Sequence, residues 1–129
     1  MSLDAIGVSA TGMNLNQTWL NAISDNLANI NDTTSSNSPA FQERFVEATA
    51  NPGTNGVTTG ALLGSSAGQL VYSPADPQAD AQGYVKQTTI DMSTQMTDLI
   101  MAQRAYQANA DAVTSAKDLY TAALQIGGK

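Results

Sequence analysis

The sequence predicts a mainly α fold: two long N- and C-terminal helices forming a coiled-coil-like core, with a small irregular β and loop region between them. Three observations predict it. Ile6, Met13, Leu20 and Leu27 recur every seven residues near the start. Met92, Leu99, Tyr106, Val113 and Tyr120 recur at the same interval near the end. All four prolines (Pro39, Pro52, Pro74 and Pro77) fall between these runs. A strict seven-residue apolar repeat is the seam of a coiled coil, because under-winding to about 3.5 residues per turn keeps it facing a partner. The expected organisation is an N-terminal core helix in 1–30, a loop-rich middle with short strands in 31–90 and a C-terminal core helix in 91–129.

The first helix is amphipathic from about residue 3 to residue 30. Ile23 and Ile30 widen its stripe, where Ser9 and Asn16 hold the equivalent earlier positions. The stripe is therefore weak at the start and strong at the end. Gly7 and Gly12 each cost about 1 kcal/mol relative to alanine in a helix, but glycine also lets another helix approach closely. Trp19 stands beside the seam and reads as packing at a contact between subunits.

From Asn31 to Pro39 the run is polar and without period, which reads as loop. Phe41 to Val46 is either a short strand or the anchor of that loop. Ala48 to Ala75 contains no charged residue and is rich in Gly, Thr, Ser and Asn. Within it Asn55-Gly56 signals a hairpin, since a type I′ turn needs φ > 0 at both central positions. Val57–Thr59 and Gln69–Tyr72 are strand pieces, and Val85–Ile90 is a last one.

The second helix is predicted from Asp91 to Ile126. Ala102, Asn109, Ala116 and Ala123 form a column of small residues beside its seam. Gly127-Gly128 is a natural stop, because glycine takes the left-handed conformation cheaply.

Composition excludes several functions. The 129 residues carry a net charge of −6, with only 12% charged residues and 5% aromatics. A typical domain has about 25% charged residues, so the middle of the chain is poor in both core and solvating side chains. Part of the stabilising burial is expected from other subunits. The five basic residues are scattered, whereas phosphate contacts need clusters; no nucleic-acid partner is expected. No apolar run approaches the roughly 18 residues that cross a bilayer, so no direct membrane insertion is expected. The start lacks the basic stretch and apolar core of a cleaved secretory signal.

The chain has no histidine and no cysteine, which removes the commonest general base, the thiol nucleophile and the commonest metal ligands. Asp76 and Asp80 are too few oxygen ligands for a calcium loop. No catalytic residue, metal site or cofactor is expected. Periodicity alone leaves open whether the two seams meet within one subunit or between subunits.

Two stretches at opposite ends identify the chain more closely. Asp98-Leu99-Ile100-Met101-Ala102-Gln103-Arg104-Ala105-Tyr106-Gln107-Ala108-Asn109 resembles the C-terminal signature of the bacterial flagellar rod and hook proteins, acid-Leu/Met-Ile-x-Ala-x-Arg-x-Tyr-x-x-Asn. Ser24-Asp25-Asn26-Leu27-Ala28-Asn29 resembles their N-terminal signature, Ser-x-Asn-Leu-Ala-Asn. The segment from Tyr72 to Val85 is similar to the Tyr-Asp-Pro-x-His-Pro-x-Ala-x-x-x-Gly-Tyr-Val segment of a proximal rod member. Departures are Asp76 for histidine, Thr88-Thr89 for Pro-Asn, and Gln95 for glutamate.

The resemblance implies a non-enzymatic structural subunit of the flagellar basal-body rod, the drive shaft that carries torque from motor to hook. It implies copies of the chain and other rod subunits as partners, the flagellar type III apparatus as export route without a cleaved signal, and a place in the periplasmic rod. The candidate interface residues are then Ile6, Met13, Trp19, Leu20, Ile23, Asn26, Leu27, Asn29 and Ile30 on the N-terminal side. On the C-terminal side they are Met92, Leu99, Ala102, Arg104, Tyr106, Asn109, Val113, Tyr120 and Leu124. Asn26, Asn29 and Asn109 are expected to set register across subunits, as buried polar residues do in coiled coils. Arg104 is expected to pair with an acidic side chain of a neighbour such as Asp25, or else with Asp98 beside it or with solvent. The competing expectations are another rod subunit of the same family and a soluble coiled-coil adaptor.

Overall fold

A computed structural model describes residues 2–53 and 55–127. The chain runs α1 (Ser2–Ala28), β1 (Thr33–Ser35), β2 (Arg44–Ala50), β3 (Val57–Leu63), β4 (Gln69–Tyr72), β5 (Tyr84–Gln87) and α2 (Met92–Gly127). Two terminal helices around a small antiparallel β region bear out the expected fold class at that level. The helices hold 27 and 36 residues, so at about 1.5 Å per residue they are about 40 and about 54 Å long.

Helix α1 ends at Ala28 rather than Ile30 because Asn29 intervenes. Its side-chain amide donates to the Asp25 carbonyl at 2.7 Å, as its backbone N–H does at 3.2 Å. A polar side chain that competes for backbone groups in this way favours helix ends. Helix α2 begins where Asp91 caps it. The carboxylate accepts the Thr94 N–H at 2.7 Å and the Thr94 hydroxyl at 2.9 Å. These bonds from Thr94 hold the Asp91 carboxyl below its ordinary value. The helix continues through Gly127, one residue past the predicted stop, and Gly128 lies outside the described residues.

Strands β1, β5 and β4 form one antiparallel sheet in that order, and β2 pairs with β3 in a second. In the first sheet Thr33, Thr34 and Ser35 oppose Gln87, Lys86 and Val85. Leu70, Val71 and Tyr72 oppose Lys86, Val85 and Tyr84. β1 corrects the expectation of loop from Asn31 to Pro39: its three residues are polar, and it is a strand because β5 offers a free edge. β5 stops at Gln87, short of the expected Ile90. The β2–β3 connection is also different from the predicted type I′ turn. Gly53 and Gly56 take positive φ, at 73° and 70°; β2 ends at Ala50 and β3 begins at Val57, so the connection is longer than a two-residue turn, and the Asn51 N–H donates to the Gly56 carbonyl at 2.9 Å.

The chain divides into two compact units. One takes the residues up to Leu20, Val46–Gly60 and those from Leu99 on; the other takes Asn21–Phe45 and Ala61–Asp98. In the first unit, Thr11 holds the start of β3. Its hydroxyl accepts the Val57 N–H at 3.1 Å and donates to the Val8 carbonyl at 2.7 Å. Gly56 backs directly onto the Thr11 side chain, so no larger residue fits there. In the second unit, Ala22, Ile23, Ala40, Val85 and Ile90 are the buried apolar side chains.

Candidate assembly interface

The interface candidates sort by burial. On α1, Ile6, Ser9, Met13, Asn16, Leu20, Ile23 and Leu27 are all buried or half-buried. On α2 the same holds for Gln95, Leu99, Ala102, Tyr106, Asn109, Val113 and Ala116. Both sets alternate steps of three and four, the spacing of a seam. Met92 is exposed, and Gln95 takes the inward place at the start of α2. Trp19, Asn29 and Ile30 are half-buried, and Arg104 is exposed.

Within the first unit, Gly12 meets Asn109. A Cβ at Gly12 would lie 2.9 Å from Asn109 Oδ1, so the expected close approach at this glycine is realised inside the chain. Gly7 has open space around it. The Asn109 amide donates to the Ala105 carbonyl at 2.9 Å. Beside this contact an open groove of about 270 Å³ is lined by Ala10, Met13, Asn14, Gln17 and Tyr106.

Within the second unit, Asn26 is the centre of a polar junction. It is 1% exposed. Its Nδ2 donates to the Arg44 carbonyl at 2.9 Å and to Gln95 Oε1 at 3.0 Å, and its Oδ1 accepts the Arg44 N–H at 2.8 Å. Gln95 Nε2 in turn donates to Glu43 at 2.7 Å. The amide hydrogens of Asn26 are thus used inside the chain, joining the end of α1 to the start of β2 and to the start of α2. A buried polar group so satisfied fixes one arrangement, since leaving any member unpaired is costly. Asp25 is likewise engaged within the chain, by Arg44 at 2.7 Å.

Glu43 sits where charges crowd. Partial burial pushes its carboxyl up; the bond from Gln95 works against this, and Asp98 and Asp91 reinforce it. Sequence reading missed Glu43, Arg44 and Gln95 as a group. The one available signal was the departure at Gln95, where the family pattern has glutamate. A second carboxylate there would stand against Glu43.

The Pro-rich segment is a shaped loop between β4 and β5. Asp76 accepts the Gln78 N–H at 2.9 Å and the Thr33 hydroxyl at 3.0 Å. Asp80 accepts the Tyr84 and Gln82 N–H groups, both at 2.9 Å, and these backbone bonds, that from Tyr84 foremost, hold its carboxyl below its ordinary value. Asp76 thus holds a backbone and a hydroxyl donor, and Asp80 holds backbone donors and the Ser36 side chain. Among the described residues no group of three or more acids gathers in metal-binding geometry, and no helix is long and apolar enough to cross a membrane.

The last turns of α2 differ from the rest. Every residue from Lys117 to Gly127 is exposed. Leu119, Tyr120, Leu124 and Ile126 are among them, with Ile126 82% exposed.

Comparison with known proteins agrees with this layout. Residues 6–35 match the family model described as Flagella basal body rod protein, and residues 81–126 match that of the Flagellar basal body rod FlgEFG protein C-terminal. The chain is similar to the flagellar basal-body rod protein FlgC of Escherichia coli O6:H1, 31% identical with 97% of each chain covered. Similarity to FlgC of Salmonella typhimurium LT2 has the same identity and coverage. FlgC of Aquifex aeolicus is 30% identical over 91% of this chain and 90% of its own.

Proposed function

This chain belongs to the flagellar basal-body rod protein family, and from that premise we propose that it is a structural subunit of the proximal rod, in the place of FlgC. Its work is mechanical, not enzymatic. The terminal segments 1–30 and 91–129 serve as the helices of a core domain around the middle segment 31–90. They pack as coiled coils with neighbouring subunits, and that packing transmits torque towards the hook. Its partners are copies of itself and other rod subunits in the periplasmic part of the basal body, which it reaches through the flagellar export apparatus.

The single observation that carries this reading is the bare end of α2. A helix end of some three turns is marginal in water without tertiary packing, and this one exposes Leu119, Tyr120, Leu124 and Ile126 together. A contiguous apolar surface of that kind marks a contact with another protein. Met13, Trp19, Leu20, Leu27, Leu99, Tyr106 and Val113, which are half-buried, contribute their outer edges to the same packing; Ile6, Ile30, Met92, Arg104 and Tyr120 extend it. Ile23 and Ala102 are buried within the chain and support these surfaces from beneath.

The absence of cysteine makes the test direct. With Asp118→Cys in cells, cross-linking and mass spectrometry should yield adducts to other rod subunits. Adducts only to cytoplasmic proteins would end the rod reading. Leu99→Asp and Leu27→Asp should each abolish swimming; normal swimming by either shows that its seam is no contact.

A further inference from the structure

Asn55 is the one asparagine of the chain that glycine follows. It is exposed, and both residues precede β3, which begins at Val57. Glycine has no Cβ to screen its own nitrogen, so the Gly56 nitrogen can reach the side-chain carbonyl carbon of Asn55. The nearby Asn51 lacks that route, because it precedes Pro52, whose nitrogen carries no hydrogen. Asn51 instead points its side chain at the pair. Its Nδ2 donates to the Asn55 backbone carbonyl at 3.1 Å. That oxygen belongs to the same peptide group as the Gly56 N–H, and it carries much of the negative charge once the N–H is deprotonated. A donor aimed at developing charge lowers the barrier to forming it. Two further bonds tie the pair to its surroundings. Asn55 Nδ2 donates to the Pro52 carbonyl at 2.8 Å. The Val57 N–H, next after Gly56, donates to the Thr11 hydroxyl of α1 at 3.1 Å.

We propose that Asn55 is a site of spontaneous deamidation, and that its conversion releases the start of β3 from α1. Hydroxide takes the Gly56 amide proton, and the nitrogen attacks Asn55 Cγ. The Cγ–Nδ2 bond breaks, and the leaving amide takes a proton from the water just formed and departs as ammonia. Water then opens the succinimide at either carbonyl, giving an aspartyl or an isoaspartyl link. In the aspartyl product a carboxylate oxygen stands where Nδ2 met the Pro52 carbonyl, so two acceptors face each other without a hydrogen. In the isoaspartyl product the backbone runs through Cγ and gains a methylene just ahead of Gly56. Gly56 lies against the Thr11 side chain too closely to absorb that in place. Either product also brings a negative charge into the stretch from Ala48 to Ala75, which has none. The Val57 N–H then loses the Thr11 hydroxyl.

The test uses the isolated full chain, incubated in mildly alkaline buffer. Peptide mass spectrometry should show conversion at Asn55 ahead of every other asparagine, at a rate proportional to hydroxide. Asn51→Asp keeps an acceptor for the Thr58 hydroxyl, which Asn51 Oδ1 holds at 2.7 Å, but removes the donor to Asn55. It should slow conversion about fivefold, the equivalent of one ordinary hydrogen bond. In the converted chain the Val57 amide should exchange its hydrogen faster than before. In Asn55→Gln, incubated alike, that exchange should not change. Asn55 found intact after other asparagines have converted overturns the site. An unchanged rate in Asn51→Asp overturns the part given to Asn51, and conversion with Val57 exchange unaltered overturns the release of β3.

Discussion

The two ends of α2 carry one repeat and meet different fates. At its start, Gln95, Leu99 and Ala102 are buried or half-buried, and Gln95 is bonded to Asn26 and Glu43. At its finish, Tyr120 and Leu124 are exposed, as is every residue from Lys117 to Gly127. The difference teaches that a seven-residue repeat specifies a face to be buried but not which molecule buries it. The start of the helix is held by its own chain, and the finish stands exposed.

Substitutions at the two ends should therefore separate folding from assembly. The largest effect on the isolated chain is expected from Asn26→Leu. It leaves the Arg44 backbone and Gln95 without their partner, a loss of about 3 kcal/mol, read as a lower urea midpoint. A midpoint unchanged from wild type would mean that the junction does not hold the chain together. Gly83→Ala should cost less, about 1–2 kcal/mol. Gly83 has φ of 84°, and a Cβ there would lie 2.8 Å from Tyr72 Cε2, so thermal unfolding should shift down while both helices keep their circular dichroism.

A smaller effect belongs to pH. The Glu43 carboxyl is raised by burial first and by Asp98 and Asp91 in addition. The folded chain therefore holds that proton more tightly than the unfolded chain does. This stability is fully present below the ordinary glutamate value of 4.5 and is lost as pH rises through the raised one. Asp80 and Asp91, held low by backbone and hydroxyl donors, act with the opposite sign: their stability is present above the ordinary aspartate value and lost as pH falls through the lowered one. Glu43→Gln should abolish the first dependence and leave the second, seen as the difference between two pH titrations of the urea midpoint. Identical titrations would remove Glu43 from the account.

The smallest effect on the isolated chain, within about 0.5 kcal/mol, is expected for Leu124→Asp, because the site is exposed. The same variant should nonetheless stop swimming. Loss of both stability and swimming would show that the end of α2 packs on its own chain.

What was legible in the sequence follows the same division. The helices were legible because their repeats are local. Gln69–Tyr72 was legible because its composition favours a strand. β1 was not, because Thr33, Thr34 and Ser35 have no apolar alternation and owe their conformation to β5, some fifty residues away. The junction at Asn26 was hidden for the same reason: Gln95 lies 69 residues along the chain, and nothing near Asn26 announces it. The family signature marked Asn26 as a seam residue, while the structure uses its amide within the chain. The exposed end of α2 was included among the candidates through Tyr120 and Leu124, but its isolation from its own chain appears only in three dimensions.

The central claim, that other subunits cover the end of α2, is tested most directly by the accessibility of Leu124→Cys to a maleimide. The chain has no other cysteine, so the label reports one position. Labelling should be fast in the isolated chain and strongly suppressed in purified basal bodies. Equal rates in the two would contradict the claim and leave the end of α2 bare in the rod.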